Sequence, residues 1–360
     1  TRLHDRFHLL TGGSRTALPR QQTLRALIDW SHDLLAPAER VLFRRLAVFA
    51  GSCALDAAED VCTGGEIEEA QVLDLLTSLV DKSLVVADLD RGRYRMLESI
   101  REYAGERLQA SCEDAGLRDR HLDYYVARVV TAAPHLFGHD QGKWYAQLDD
   151  DRENLRAAHA WCDHAEGGGA KGLRLVNAIK PYWFSRGLLK VGKHATLEAL
   201  GRPDAQARNL QRCLALFAVG QLCSFLGDYG EAIGYLEESL AIARELNDRF
   251  RVAATLQPLG LAAVGQGDFA AGRRYLDEGL ALATEIGDPH QLAGAANAVA
   301  QLNRMAGDLA GAEPLYSQVI AMGRKLDDPE LVAIGLLNLS MVYIARGTRV
   351  STFGQPAATL

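Results

Sequence analysis

Gly227-Asp228-Tyr229, Gly267-Asp268-Phe269 and Gly307-Asp308-Leu309 recur at intervals of 40 residues in this 360-residue chain. The register holds inside each block. Tyr235-Leu236, Tyr275-Leu276 and Leu315-Tyr316 share one offset; Asn247-Asp248, Gly287-Asp288 and Asp327-Asp328 share another. A weaker block precedes them from Gly187, with Gly-Leu-Leu in place of Gly-Asp-aromatic. Self-similarity at a period of this size marks a solenoid, in which each unit buries its apolar face against its neighbours. Stacked helix pairs present an extended concave surface, and such surfaces bind other molecules more often than they catalyse.

Each block divides into two helices. In the second block, Leu256, Leu259, Leu261 and Val264 make an apolar helix ahead of the Gly267 turn, and Tyr275, Leu276, Leu280, Leu282 and Ile286 carry the next one. Gly267 suits a helix C-terminus at positive φ, and Asp268 suits the N-cap that follows. Asp288-Pro289 and Asp328-Pro329 open later helices, with Asp as cap and Pro at the first helical position. Small residues recur where paired helices must touch: Gly220, Gly260 and Ala300 on the first helix, Ala232, Gly272 and Ala312 on the second. The pattern resembles the tetratricopeptide repeat, although the period is 40 residues against the usual ~34 and the closing proline is missing. The longer helices, with ends such as Glu245-Leu246-Asn247-Asp248, resemble the sensor repeats of large bacterial regulators.

Upstream the texture changes. Thr23 is expected to cap a helix with Leu24, Leu27, Ile28, Ser31, Leu34 and Leu35 on one face. Pro37 and Glu39 open another, with Val41, Leu42, Leu46 and Val48, and a short helix follows around Leu55–Val61. A run from Val72 to Val80 leads into Leu84-Val85-Val86-Ala87, the polar turn Asp88–Gly92 and Tyr94-Arg95-Met96-Leu97, which reads as a β-hairpin. Helices followed by a hairpin are the plan of a winged helix. The expected fold is therefore all-α, a winged helix with a small β-hairpin followed by an α-solenoid of tetratricopeptide-like repeats.

Several segments of this region carry a more specific resemblance. Thr11-Gly12-Gly13-Ser14-Arg15, Leu18-Pro19-Arg20-Gln21-Gln22-Thr23-Leu24-Arg25 and Asp29-Trp30-Ser31 are similar to the segment that follows the nucleotide-binding core of bacterial STAND-class ATPases. Phe43-Arg44-Arg45-Leu46-Ala47-Val48-Phe49-Ala50-Gly51 and Leu79-Val80-Asp81-Lys82-Ser83-Leu84-Val85 resemble their winged helix. Glu153-Asn154-Leu155-Arg156-Ala157-Ala158 and Trp161 resemble the first helices of their repeat domain. The resemblance implies residues 1–22 as a connector from a missing ATPase core, 23–115 as the winged helix and 116–186 as a helical adapter; the 40-residue period gives 187–346 as the repeats, and its failure beyond Gly347 gives 347–360 as a disordered tail. The resemblance also implies ATP or ADP for the missing upstream domain, with that core packed on the winged helix, and no cofactor in this chain. In that family the module belongs to signal-responsive regulators of the LuxR or antibiotic-regulatory type. The chain starts at Thr1 rather than Met, which fits a missing upstream part.

Two nucleotide-like motifs are weighed on their chemistry. Gly187-Leu188-Leu189-Lys190-Val191-Gly192-Lys193-His194 approaches a phosphate loop. The final position, however, needs a hydroxyl for magnesium and is His194, and no strand precedes the loop. Gly167-Gly168-Gly169-Ala170-Lys171 reads as a flexible inter-helix loop. In related ATPases the strand ending the wing leads into Met-His-Asp, whose histidine approaches bound diphosphate. The matching residues are Met96-Leu97-Glu98, a degenerate nucleotide-sensor motif, because leucine cannot donate that hydrogen bond.

Composition limits the remaining options. The formal net charge of −7 argues against a nucleic-acid surface over the whole chain. The candidate recognition helix Gln71–Val80 is apolar on most sides and carries Asp74, while Arg91, Arg93 and Arg95 on the wing are diluted by Asp88 and Asp90. DNA contact is not expected through this chain. Cys53, Cys62, Cys112, Cys162, Cys213 and Cys223 lack metal-ligand spacing and read as buried thiols in a reducing compartment. No signal peptide and no membrane-length apolar run is present, so the expected location is cytoplasmic. The histidines are scattered, Asp149-Asp150-Asp151 reads as the start of the helix through Leu155 and Trp161, and no serine has a nucleophile-elbow context. No catalytic residue, no metal site and no enzyme activity is expected of this chain, although a full-length protein could be an ATPase.

The remaining reading is a regulatory, ligand- or partner-sensing region of a STAND-type signal-transduction protein, a transcriptional regulator. The alternative is a stand-alone repeat scaffold for protein–protein assembly. The expected binding groove, for a protein or small-molecule inducer, follows the first helices of successive units: Phe217 and Gln221, Gln257 and Leu261, Asn297 and Gln301, with Arg304 beyond. At the C-terminus, Gly347 falls where another unit should begin, yet no apolar helical period follows. The uncapped apolar face of the helix Glu330–Arg346 implies self-association or a longer array.

Overall fold

A computed structural model describes residues 19–138 and 140–347. The chain divides into two compact units, one running to Lys171 and the other starting at Gly172.

In the first unit, α1 (Pro19–Asp33) starts ahead of the expected Thr23 cap, and proline occupies its first position. After a three-residue connection, α2 (Pro37–Leu46) again begins with proline, and the Glu39 carboxylate accepts the Ala36 backbone N–H at 2.7 Å. Val41, Leu42, Phe43 and Leu46 of α2 are buried. Strand β1 (Ser52–Ala54), α3 (Leu55–Cys62), α4 (Val72–Asp81), β2 (Val86–Asp88), β3 (Arg93–Arg95) and α5 (Glu98–Ala110) complete the winged helix. The sheet is antiparallel in the order β1-β3-β2, with Ser52 opposite Arg95, Ala54 opposite Arg93 and Asp88 also opposite Arg93. The hairpin of β2 and β3 was legible; β1 was not, being three residues long after Gly51, whose φ is +120°.

Arg45 ties this unit together. Its guanidinium donates to the carbonyls of Cys62 and Gly64, both at 2.8 Å, and to Glu113 at 2.7 Å. Helices α6 (Asp114–Ala132) and α7 (Gln141–Trp161) follow. The triplet Asp149-Asp150-Asp151 therefore lies in mid-helix rather than at a helix start. The glycine run after α7 is not a free loop either. Gly167 turns the chain at φ +66°, and α8 (Gly168–Ser185) begins at Gly168, where any Cβ would collide with the Cys162 carbonyl.

The second unit is the solenoid. Helix α9 (Leu189–Gly201) precedes α10 (Leu210–Leu226), α11 (Tyr229–Glu245), α12 (Arg249–Gly265), α13 (Phe269–Ile286), α14 (Pro289–Met305), α15 (Leu309–Lys325) and α16 (Pro329–Ala345). Seventeen-residue helices exceed what a ~34-residue repeat can hold, which accounts for the longer period. One register of turn glycines, Gly187, Gly227, Gly267, Gly307 and Gly347, takes φ between +66° and +93°. The other turn uses Asn247, Gly287 and Asp327, also at positive φ. Asp268, Asp288, Asp308 and Asp328 each accept the backbone N–H three residues on, as N-caps. Asp228 makes no such bond; it pairs instead with Lys193 at 2.7 Å.

The small residues sit where the helices touch. A Cβ on Gly220 would stand 2.5 Å from Leu236, and one on Gly260 would stand 2.6 Å from Leu276. Each core cluster crosses a unit boundary: Val264 and Leu276 pack with Ala298, Val299 and Leu302, and Ala300, Ala312 and Tyr316 pack with Val342. Helix α16 closes the described array with Leu336, Leu337, Met341 and Ile344 exposed. The expected disordered tail lies, apart from Gly347, outside the described residues, as does most of the expected N-terminal connector. No helix of the described residues is long and apolar enough to cross a membrane.

Candidate partner-binding groove

The expected groove residues fall on α10, α12 and α14, and all seven are half-buried. On α10, Gln221 accepts a hydrogen bond from Lys180 at 2.8 Å, and the Lys180 ammonium lies 4.7 Å from the centre of the Phe217 ring. On α12, Gln257 lies against α14 at Gly294, where a Cβ would approach its amide oxygen to 3.1 Å. Leu261 packs against the cluster of Val264 and Leu276, so its contribution is to the core edge. On α14, Asn297 accepts from Asn338 of α16 at 3.0 Å. Arg304 has no carboxylate partner among the described residues, and its Nε is buried without an acceptor.

Two cations were missed by the sequence reading. Lys180 and Arg251 are half-buried and, like Arg304, make no ion pair with a described carboxylate within 4.0 Å. Elsewhere on the solenoid, cations pair across neighbouring helices: Arg208 with Glu245 at 2.7 Å, Arg244 with Glu278 at 2.7 Å, and Arg346 with Glu313 at 2.5 Å. Burial lowers the Lys180 ammonium to about 8, and the nearby positive charge of Arg251 adds to that shift. The signal available in the sequence was the repeat register itself. Counting 40 residues back from Gly220 lands on Lys180, a lysine where later units carry Gly260 and Ala300.

The wing has the opposite arrangement. Arg91 pairs with Asp150 at 2.8 Å. Arg93 is buried and bonds Asp151 at 2.7 Å, Ser52 Oγ at 2.8 Å and the Ser52 carbonyl at 2.9 Å. Asp151 takes a second guanidinium, that of Arg128, at 2.6 Å. Asn154, also buried, accepts the Ala50 N–H and donates to the Ser52 carbonyl, both at 2.8 Å. His121 lies 3.3 Å from Asn154 between the rings of Phe49 and Tyr125, and burial pushes its pKa down to about 4. Asp150 and Asp151 thus pair with two of the wing arginines from within the unit; Arg93 is buried, and Arg91 and Arg95 remain exposed.

Helix α4 carries little positive charge outward. Leu73, Asp74, Thr77 and Asp81 are its exposed residues, and Lys82 beyond it is drawn to Glu39 at 2.6 Å. Burial acts to raise the Glu39 carboxyl, but hydrogen bonds from Lys82, Ser78 and the Ala36 N–H outweigh it and hold the group below the usual range. The degenerate sensor motif separates in space. Met96 is buried in a shallow cleft with Leu46, Phe49, Cys53 and Val85, whereas Leu97 is exposed and Glu98, the first residue of α5, pairs with Arg101 at 2.8 Å. In the phosphate-loop look-alike, Lys193 lies inside α9 and is held by Asp228 at 2.7 Å and Glu231 at 2.9 Å. Among the described residues no three His, Cys, Asp or Glu side chains gather as metal ligands.

A winged helix-turn-helix domain model matches residues 35–109. The "Putative HTH-type transcriptional regulator" of Mycobacterium tuberculosis (strain ATCC 25618 / H37Rv) is 39% identical over 270 residues, covering 72% of this chain and 30% of the relative. An uncharacterized protein of Mycobacterium bovis is 47% identical over 114 residues, 31% of this chain and 29% of that protein. The chain therefore spans under a third of the length of these curated relatives. Among solved structures, a STAND protein with a tetratricopeptide repeat sensor from Pyrococcus horikoshii gives a TM-score of 0.46 at 14% identity, covering 89% of this chain and 49% of that one. The Rap protein complexed with competence and sporulation factor gives 0.48 at 12% identity, covering 89% and 87%.

Proposed function

We propose that this chain is the ligand- or partner-sensing region of a STAND-type transcriptional regulator of the LuxR kind, acting in the cytoplasm. In this reading the repeat groove receives a protein or small-molecule inducer. The winged helix serves as a docking module for an ATPase core that binds ATP or ADP, and this chain itself is not an enzyme.

The observation that carries the reading is the split in charge commitment. Arg91 and Arg93 of the wing are neutralised by Asp150 and Asp151, and the outward face of α4 presents Asp74 and Asp81. A DNA-reading helix needs Arg, Lys or amides aimed at base edges and phosphates. Half-buried Lys180, Arg251 and Arg304 of the solenoid, by contrast, pair with no carboxylate among the described residues. A docking role for the winged helix also suits α1, where Leu24, Leu27 and Trp30, with Leu34 just beyond the helix, are exposed apolar side chains. A surface of that kind fits a protein partner better than a phosphate backbone.

The test is a reporter assay with the longer regulator. Alanine at Gln257, Asn297, Gln301 and Arg304 together should abolish induction while the melting temperature stays within a few degrees. Unchanged induction overturns the groove as the sensor. Purified chain should show no saturable ATP or ADP binding by calorimetry; binding that is lost in Lys193→Ala overturns the assignment of nucleotide chemistry to a separate core.

A further inference from the structure

The first helix of each repeat leaves the same positions open. The open line is Leu214, Phe217 and Gln221 on α10, then Ala254, Gln257 and Leu261 on α12, then Gly294, Asn297 and Gln301 on α14, all half-buried. Forty residues further on, α16 places Ile334, Leu337, Met341 and Ile344 on that line. All four are exposed, Leu337 and Ile344 by 65% each. Their intervals of three, four and three residues make a seam about 15 Å long down one side of the helix. No charged side chain stands on α16 between Glu330 and Arg346. Leu336 is exposed too, but at the register of Ala296, which α14 buries. The seam positions, by contrast, stay open even inside the array.

Other sides of α16 hold it in place. A Cβ on buried Gly335 would stand 2.7 Å from Ile320, and Tyr343 donates to Glu313 at 2.9 Å. Asn338 donates to Asn297 at 3.0 Å, so the α16 seam runs directly beside the open line of α14. That flank carries amides and then Arg304, whose Nε is buried without an acceptor and which pairs with no carboxylate among the described residues. Helix α14 itself contains no acid.

We propose that this seam seats an amphipathic helix of a protein partner. The partner helix lays apolar residues, spaced by three and four, against Ile334, Leu337, Met341 and Ile344, and it carries an acid on the flank that faces Arg304. The occupant is a helix because the apolar line follows the α16 axis; an extended segment crossing it would meet one or two of the four residues. In paired helices the apolar seam supplies contact and the flanking charges choose the partner. A guanidinium with an orphaned donor makes a carboxylate the favoured flank. This inference rests on the sensor reading of the groove and names a helical protein segment as what it receives.

The probe is a lactam-stapled peptide of about three heptads with leucine at a and d and glutamate on the flanks. A second peptide carries glutamine in place of each glutamate. Both are titrated by fluorescence anisotropy into this chain and into the longer regulator. The glutamate peptide should bind both proteins saturably, and more tightly than the glutamine peptide by roughly threefold or more. Arg304→Gln should abolish that preference. Leu337→Ser with Ile344→Ser, both at exposed positions, should weaken either peptide by roughly tenfold or more. Arg244→Gln, which removes an outward ion pair, should change neither.

No saturable binding, binding that ignores the two serines, or a glutamate preference that survives Arg304→Gln overturns the proposal. Sedimentation as a dimer that the serines break also overturns it, by assigning the seam to a second copy. Binding to this chain but not to the longer regulator overturns it as well, because the regulator then covers the seam itself. If the serine variant induces normally while the groove alanines block induction, the seam fails and the sensor reading stands. If the peptides bind as expected and transcription ignores both sets of changes, the sensor reading fails and the seam stands.

Discussion

In the solenoid, Arg244 meets Glu278 across 34 residues of chain and Arg208 meets Glu245 across 37. In the first unit, Arg93 meets Asp151 across 58, and Asn154 reaches back to Ser52 across 102. Solenoid contacts end at the neighbouring repeat, so damage there should stay local. The wing unit is closed by a few buried polar bonds between distant segments, and damage there should spread through the unit. Among the described residues the solenoid also leaves three half-buried cations, Lys180, Arg251 and Arg304, without a carboxylate within 4.0 Å, whereas the wing pairs two of its arginines with acids.

Breaking the wing network should have the largest effect. Arg93 and Asp151 are both buried, and removing the carboxylate strands the Arg93 guanidinium away from water while Arg128 loses its 2.6 Å partner as well. Asp151→Leu should cost about 3–5 kcal/mol, measured by urea unfolding. Trp30, Trp144 and Trp161 report on the first unit and Trp183 on the second. The transition seen at Trp183 should hardly move. Equal shifts at both would mean that the two units do not differ in the way argued.

A pH titration separates the units next. His121 is buried, and its pKa is lowered by that burial from 6.5 to about 4. Above pH 6.5 the imidazole is neutral in folded and unfolded chains alike, and no penalty exists. As pH falls from 6.5 toward 4, the unfolded chain takes up a proton that the folded chain refuses, so stability falls with pH. The loss should total about 3 kcal/mol by pH 4 and be confined to the first unit. His121→Phe, which keeps an aromatic ring between Phe49 and Tyr125, should remove that slope. A slope that persists in His121→Phe assigns it to other groups.

The same contrast explains what the sequence made legible. Gly227, Gly267 and Gly307 announce themselves because the same turn is built repeatedly, and one register predicts helices, caps and small-residue contacts together. Phe217 through Arg304 could be placed on first helices for that reason. Lys180 was overlooked because its unit has lost the Gly-Asp signature, although the register still points to it. Strand β1 and the Arg93–Asp151 bond have no local signature. A three-residue strand has no period, and a buried aspartate inside Asp149-Asp150-Asp151 looks like any acidic helix start until the fold places Arg93 and Arg128 beside it.

The finest comparison lies inside the solenoid. Asp268 and Asp228 occupy the same register but do different things. Asp268 accepts the Ala271 N–H at 2.8 Å and so satisfies a backbone donor that its helix leaves orphaned. Asp228 instead faces Lys193, in an ion pair where the aspartate is nearly half exposed. Asp268→Ala should therefore cost about 1 kcal/mol. Asp228→Ala should cost less than about 0.5 kcal/mol, because a partly exposed pair is screened by water and salt. Raising the salt concentration should shrink the Asp228 effect and leave the Asp268 effect in place, since a cap bond is short-ranged. Equal costs at the two sites, or equal salt dependence, would show that Asp228 also caps its helix in solution and that the turn at Gly227 is built like those at Gly267 and Gly307.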